Sequence, residues 1–325
     1  MHETASFQRF PRASRALPGA RPLPQCTARM PRTWTASVAT VLTAFAVTLL
    51  LPATSAWAQE PAPAPPEPRK VSEAELNTTN LPTTMSLNRH QSYFRITHRF
   101  TRDLREGDFG SLVEDLFALD NGAAIGLEYR FGITDRLQAG VYRTAISKTI
   151  QFLGRYDGWK QSDTMPVSIS ATASLEALNN FQDNFQPALA ATVSRLATDW
   201  LVLYATPAFV FNTQAVDALD HEHEHELPGA EEDEHSQHDH TMFVGLGARV
   251  RIRPTAYLVG EYSPRLAGHD PGRAVWAAGI EKGTKSGKHL FQLNFTNSFG
   301  TTLGQVARGG TESNVYLGFN IARKW

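Results

Sequence analysis

From Leu87 to Trp325 apolar and polar residues alternate in segments of about ten, separated by Gly, Asn, Asp and Pro, which is the period of strands with two unlike faces. Ala124–Phe131 reads AIGLEYRF: Ile125, Leu127, Tyr129 and Phe131 share one face, and Ala124, Gly126, Glu128 and Arg130 share the other. In Met242–Arg253 the apolar Met242, Val244, Leu246, Ala248, Val250 and Ile252 oppose Phe243, Gly245, Gly247 and three arginines, Arg249, Arg251 and Arg253. Ser168–Glu176 sets Ile169, Ala171, Ala173 and Leu175 against Ser168, Ser170, Thr172, Ser174 and Glu176. Near the end, Val315, Leu317, Phe319 and Ile321 oppose Gly318, Asn320, Ala322 and Lys324. Twelve such segments are predicted, centred near Ile96, Leu127, Ala139, Phe152, Ala171, Ala191, Ala205, Leu246, Leu258, Ala278, Leu293 and Phe319. Helical periodicity is hard to find.

Alternation alone fits a soluble β-sandwich as well as a membrane barrel. Three features favour an antiparallel transmembrane β-barrel with apolar faces to lipid and polar faces to the interior. Compact turns at Gly132–Arg136, Ala197–Trp200 and Pro254–Thr255 interleave with long connections at Thr101–Asn121, Thr213–His240 and Gly300–Ser313. The polar faces carry long side chains of both signs, which a crowded interior would pair. The final strand closes on an aromatic, Trp325, like the signal read by the barrel-assembly machinery, although Arg323 stands where an apolar residue is usual. Both strand ends then lie on the periplasmic side, and outer-membrane lipid is the expected surround. Tyr93, Tyr129, Phe131, Tyr262, Trp276 and Trp325 are expected as interfacial aromatics.

The chain has 325 residues, 42% hydrophobic and 19% charged, with 31 Lys+Arg against 32 Asp+Glu. A net charge of -1 without aromatic-interleaved basic patches gives no nucleic-acid footprint, and the single Cys26 excludes a disulfide scaffold. From Met30, the natural start, Arg32 precedes an apolar run from Val38 to Leu51 and a small-x-small site at Ala56–Ala58, a Sec-type signal peptide cleaved after Ala58. Residues 1–58 are therefore leader plus signal peptide. The cleaved part holds six Arg and Glu3, so the mature chain carries 25 Lys+Arg and 31 Asp+Glu, a charge of -6. Residues 59–80 follow as a flexible linker, Pro-rich at Gln59–Lys70, and residues 81–325 form the barrel.

Asn80–Phe100 (NLPTTMSLNRHQSYFRITHRF), Phe117–Gly140 (FALDNGAAIGLEYRFGITDRLQAG), Gly287–Gly300 (GKHLFQLNFTNSFG) and Gly318–Ile321 (GFNI) resemble a bacterial outer-membrane β-barrel family known as a domain of unknown function. The resemblance runs from about Leu81 to Trp325. It implies a barrel behind a signal peptide and carries over no catalytic residue.

Alternation directs Arg95, Arg99, Glu128, Arg130, Arg249, Arg251, Glu261 and Glu281 inward, as a selectivity ring or a neutralising network, with Gln292, Asn294 and Thr296 available to a polar solute. The external loop 213–240 contains His221, His223, His225, His235, His238 and His240 with ten carboxylates and no Lys or Arg between residues 217 and 240. That composition suits zinc, nickel or copper as well as a simply solvated loop. His221–His225 formally matches H-E-x-x-H, but a run of His-Glu dipeptides must match it. Neither a nucleophile elbow nor a phosphate loop is present. His98, on an apolar face, is the one trace of a membrane-embedded hydrolase. The leading expectation is a non-enzymatic outer-membrane barrel requiring no cofactor, either a narrow pore for small polar solutes or a structural envelope protein. The alternatives are surface metal capture by the loop and a soluble periplasmic β-sandwich.

Overall fold

The computed structural model describes residues 74–120, 122–213, 240–268 and 273–325. Its strands are β1 (Ser92–Phe100), β2 (Ala123–Gly132), β3 (Leu137–Thr144), β4 (Ile150–Trp159), β5 (Ser168–Leu178), β6 (Asp183–Thr198), β7 (Leu201–Phe211), β8 (His240–Arg253), β9 (Ala256–Ser263), β10 (Arg265–Ala267), β11 (Val275–Gly283), β12 (His289–Thr296) and β13 (Tyr316–Lys324). Two short helices, α1 (Phe109–Glu114) and α2 (Leu303–Ala307), lie in connections. Each of the twelve predicted centres falls in one long strand, and β10 merely continues the line of β9 past Pro264, pairing with β8. Every neighbouring pair is antiparallel, and β13 returns to β1 with Ile96 opposite Ile321, so the sheet closes. Closure leaves no edge of unpaired amides, which a sheet in lipid cannot carry. Among the described residues no helix is long and apolar enough to cross a membrane.

The molecule is apolar outside and charged inside. Leu127 is 46% exposed and Phe152 51%, whereas Arg99 and Arg249 are at most 1% exposed. A soluble sandwich has the reverse arrangement, so that alternative falls. Aromatics ring the outer wall near both ends: Tyr129, Tyr156, Trp159, Trp200 and Trp325 towards one, Phe185, Phe209 and Tyr262 towards the other.

Connections 133–136, 160–167, 199–200, 254–255 and 284–288, of two to eight residues, share the end at which β1 starts and β13 finishes. The opposite end carries 101–122, 212–239, 264–274 and 297–315. The expected alternation of lengths breaks at 145–149 and 179–182, compact connections at the long-loop end. They bond to each other, Asn179 and Asn180 donating backbone N–H groups to the Ser147 and Lys148 carbonyls at 2.9 Å. Two neighbouring loops that satisfy one another need no length.

Twelve strands enclose more space than wall side chains fill. The chain ahead of β1 occupies it. Residues 75–81, 83 and 84 are at most 8% exposed and form a hairpin inside the barrel, Thr83 N–H donating to Leu76 O at 2.9 Å and Thr78 N–H to Leu81 O at 2.8 Å. Pro82 opposes Asn77 at the position between these bonds, where its missing N–H costs nothing. The expected linker 59–80 is corrected accordingly: residues 74–80 lie within the lumen, while 59–73 and the leader 1–58 fall outside the described residues. Short polar residues such as Asn77–Asn80 look like a solvated spacer by composition, and a polar-walled interior offers them a comparable environment.

From the long-loop end α2 folds inward, all five residues buried, with Thr302 Oγ1 accepting from Gln305 N–H at 3.1 Å as its cap. Leu303, Val306 and Ala307 share one apolar cluster with Leu81 of the hairpin, Val210 of β7 and Phe243 of β8. Hairpin and helix therefore meet inside the barrel.

Candidate functional site: the stoppered lumen

The tip of the hairpin, Thr78–Leu81, exposes backbone donors and acceptors that only the wall can satisfy. Glu261 on β9 takes the donors: its carboxylate accepts from Thr78 Oγ1 at 2.6 Å and from the N–H groups of Thr79, Asn80 and Leu81 at 3.1, 3.0 and 3.2 Å. The acceptors are met from other strands. Arg249 of β8 donates to Asn77 O at 2.9 Å and Gln292 of β12 to Thr78 O at 2.8 Å. Arg95 of β1 and Asn320 of β13 both donate to Thr79 O, each at 3.3 Å. Two inward glycines of β8 make room for this contact. A Cβ on Gly245 would stand 2.5 Å from both Leu81 methyls, and one on Gly247 would be 3.4 Å from Thr78 Cγ2.

Most of the remaining lumen charges are paired, whereas Arg99 is held by neutral acceptors, donating to Asn320 Oδ1 at 2.8 Å and to Asn80 Oδ1 at 3.1 Å. Glu128 accepts from Arg95 Nε at 2.7 Å and Arg130 Nε at 2.5 Å. Arg249 grips Glu281 with two bonds, Nε to Oε2 at 2.8 Å and Nη2 to Oε1 at 3.0 Å, while its Nη1 donates to Tyr204 Oη at 2.9 Å. Arg155 pairs with Asp157 at 3.0 Å, and Arg308, beyond α2, with Glu176 at 3.3 Å. Burial draws the Arg308 guanidinium below its ordinary value, and the Glu176 carboxylate counters it. Among the described residues six buried cations (Arg95, Arg99, Arg130, Arg155, Arg249, Lys324) face six buried anions (Glu75, Glu128, Asp157, Glu176, Glu261, Glu281), and Arg308 adds one more, partly buried cation. Such pairs are weak evidence for stability, but removing one partner strands a buried charge at about 3–5 kcal/mol.

The sequence-selected wall residues Arg95, Arg99, Glu128, Arg130, Arg249, Glu261, Glu281, Gln292 and Asn294 are all buried in the interior, as is Thr296. Arg251 is half-buried, nearer the short-turn end. The structure divides these residues into two kinds: Glu261, Arg249, Gln292 and Arg95 clasp the hairpin backbone directly, while Glu128 and Glu281 hold the arginines in place and Asn294 donates to Gln292 Oε1 at 3.0 Å. Sequence reasoning missed Arg155, Asp157 and Tyr204, though their parity on β4 and β7 marks them as inward. It also missed the hairpin, for which no periodic signal exists.

Tyr93 is a correction. It was expected at the lipid interface and is fully buried within the barrel, packed with Leu76, Leu87 and Leu290. Period-two alternation puts residue 93 on the side of Arg95 and Arg99, and that phase decides. His98 does lie on the outer face, stacked on Phe319 at 4.6 Å and beside Phe100 at 4.5 Å. Its buried Nδ1 has no hydrogen-bond partner in the protein. Of the metal-ligand candidates, His221, His223, His225, His235 and His238 lie outside the described residues. His240 opens β8, where its Nδ1 accepts from Asn212 N–H at 3.3 Å. Among the described residues no three His, Cys, Asp or Glu side chains are grouped to hold a metal.

Residues 74–325 match the family described as a membrane bound beta barrel domain, DUF5777. Among curated proteins none matches. Among solved structures the chain is similar to the COG4313 outer membrane channel from Pseudomonas putida F1, with 10% identity and a TM-score of 0.42 over 74% of this chain and 97% of that one. It is also similar to the KdgM porin in complex with disordered oligogalacturonate, with 10% identity and a TM-score of 0.41 over 72% and 98%. Omp33 of Acinetobacter baumannii follows at 9% identity and a TM-score of 0.38 over 73% and 98%.

Proposed function

The chain belongs to this family of membrane-bound β-barrel domains, and from that premise we propose that it is a non-enzymatic outer-membrane protein whose pore is closed by its own N-terminal hairpin and opens to small polar solutes when the hairpin leaves. The observation that carries this reading is the clasp on Asn77–Leu81: Glu261, Arg249, Gln292, Arg95 and Asn320 bond to the hairpin's backbone, not to one another alone. A purely structural barrel has no need of a separate stopper held by reversible polar contacts. Hydrogen bonds to backbone are also independent of the hairpin's side chains, so release requires no chemistry, only competition by water. The short-turn end, where the hairpin enters, faces the periplasm in this reading, and the long loops face outward.

The test is conductance in planar bilayers. The mature chain is expected to be quiet, and a chain lacking residues 74–86 to conduct steadily, folding of both being checked by the shift in gel mobility on boiling. A folded deletion variant with no conductance, or an intact chain that conducts while Leu81→Cys and Gly245→Cys are cross-linked, overturns the proposal.

A further inference from the structure

Between the hairpin, the start of α2 and the inner wall from β1 to β5 lies a cavity of about 30 Å³. Four polar atoms on its lining residues are buried and have no partner in the protein: Asn77 Nδ2, Asn80 Nδ2, Thr172 Oγ1 and Ser174 Oγ. All four residues are at most 9% exposed. The two amides cannot be reversed without loss, because Asn77 Oδ1 accepts from Arg130 Nη2 and Asn80 Oδ1 from Arg99 Nη2, each at 3.1 Å. Both therefore present N–H groups, and the two hydroxyls can turn to do the same. The charged residues lining the cavity are Arg95, Arg130 and Glu128, a local sum of +1. A site that offers donors from four sides beside an excess positive charge selects an acceptor carrying negative charge.

We infer that this cavity is a binding site for one small inorganic anion of the halide class, which bridges the hairpin to the β5 wall. Its volume admits roughly two water-sized spheres, which suits a monatomic ion and is too small for a sugar. The ligand ties Asn77 and Asn80 of the hairpin to Thr172 and Ser174, short hydroxyl side chains of β5. Binding thus stabilises the closed form. Occupancy is a property of the seated hairpin and does not depend on whether the barrel conducts.

The experiment uses the intact mature chain with bromide as the probe. Crystals grown in bromide are expected to show an anomalous peak within hydrogen-bond distance of Asn77 Nδ2 and Asn80 Nδ2. In solution, the temperature of the gel-mobility shift is expected to rise by at least ~2 °C when gluconate is replaced by chloride or bromide at equal ionic strength. Thr172→Val with Ser174→Ala, which leaves the hairpin and the ion pairs intact, should abolish that difference. If the peak is absent and the shift temperature ignores the anion, the cavity holds water alone and the inference is wrong. If the peak appears but no variant conducts, the anion site stands and the pore reading fails.

Discussion

Replacing Glu261 by Gln removes the charge at the centre of the clasp while changing the side chain's volume little. The carboxylate receives one hydroxyl and three backbone N–H groups from Thr78–Leu81, most of them on Oε2. A glutamine with its amide oxygen in place of Oε2 keeps an acceptor for all four donors but loses the negative charge and the Asn80 N–H bond to Oε1, the equivalent of about one charge-assisted bond. At about 1.5–3 kcal/mol for such a bond, docking weakens by about 1.5–3 kcal/mol. With a factor of ten for each 1.4 kcal/mol, the ratio of released to seated hairpin rises on the order of 10- to 10²-fold. Two assays read this ratio. Open probability in planar bilayers should rise by that factor until it saturates. A cysteine at Thr79, fully buried in the seated hairpin, should react with a membrane-impermeant maleimide far faster in the Glu261→Gln background. If Glu261→Gln folds, as judged by its mobility shift, and leaves both conductance and labelling unchanged, the clasp does not hold the hairpin and the gating proposal is refuted.

Gly245→Val drives a β-branched side chain against the Leu81 methyls, already 2.5 Å from a bare Cβ. An overpacking cost of about 1–3 kcal/mol should lower the mobility-shift temperature and speed labelling at position 79. Arg249→Gln strands Glu281 and should destabilise by about 3–5 kcal/mol. The double variant with Glu281→Gln should cost less than the sum of the two singles, as denaturant unfolding in detergent would measure. Leu127→Lys, at an outward position 46% exposed, should cost about 2–4 kcal/mol in a bilayer if near its midplane, whereas in a water-soluble fold it would be close to neutral. Refolding yields into lipid vesicles separate the two.

The wall of this molecule is written in local sequence and the stopper is not. Each strand announces itself by period two, and once the period is assigned the phase hands over the inward residues: Glu128 and Arg130 follow from Leu127 and Tyr129, and Glu261 from Leu258 and Tyr262. Tyr93 has the chemistry of an interfacial aromatic near a strand end, but its phase, shared with Arg95 and Arg99, places it inside. Residues 77–84 (NTTNLPTT) carry no period, little hydrophobicity and a turn-forming Asn-Leu-Pro, all of which describe a linker equally well. What fixes their position is a set of partners on five strands, and nothing in the local sequence encodes which distant side chains will surround it. The compact 145–149 loop was illegible for the same reason, since its support comes from the Asn179–Asn180 backbone.

The hairpin stands first in the folded chain, and most of the partners of its backbone come late. Its bonds to Glu261, Gln292 and Asn320 join residues 183, 214 and 241 positions apart. β1 and β2 supply early partners in Arg95 and Arg130, but the rest of the clasp waits for the later strands, and pairings of such long sequence separation are slow to form. Arg95 and Asn320, which share the Thr79 carbonyl, sit on β1 and β13, the two strands whose meeting completes the cylinder. The stopper is thus also a clip across the final seam. A chain truncated anywhere before its last strand would lack both the seam and half the clip, so closure of the cylinder and seating of the hairpin depend on the same final strand.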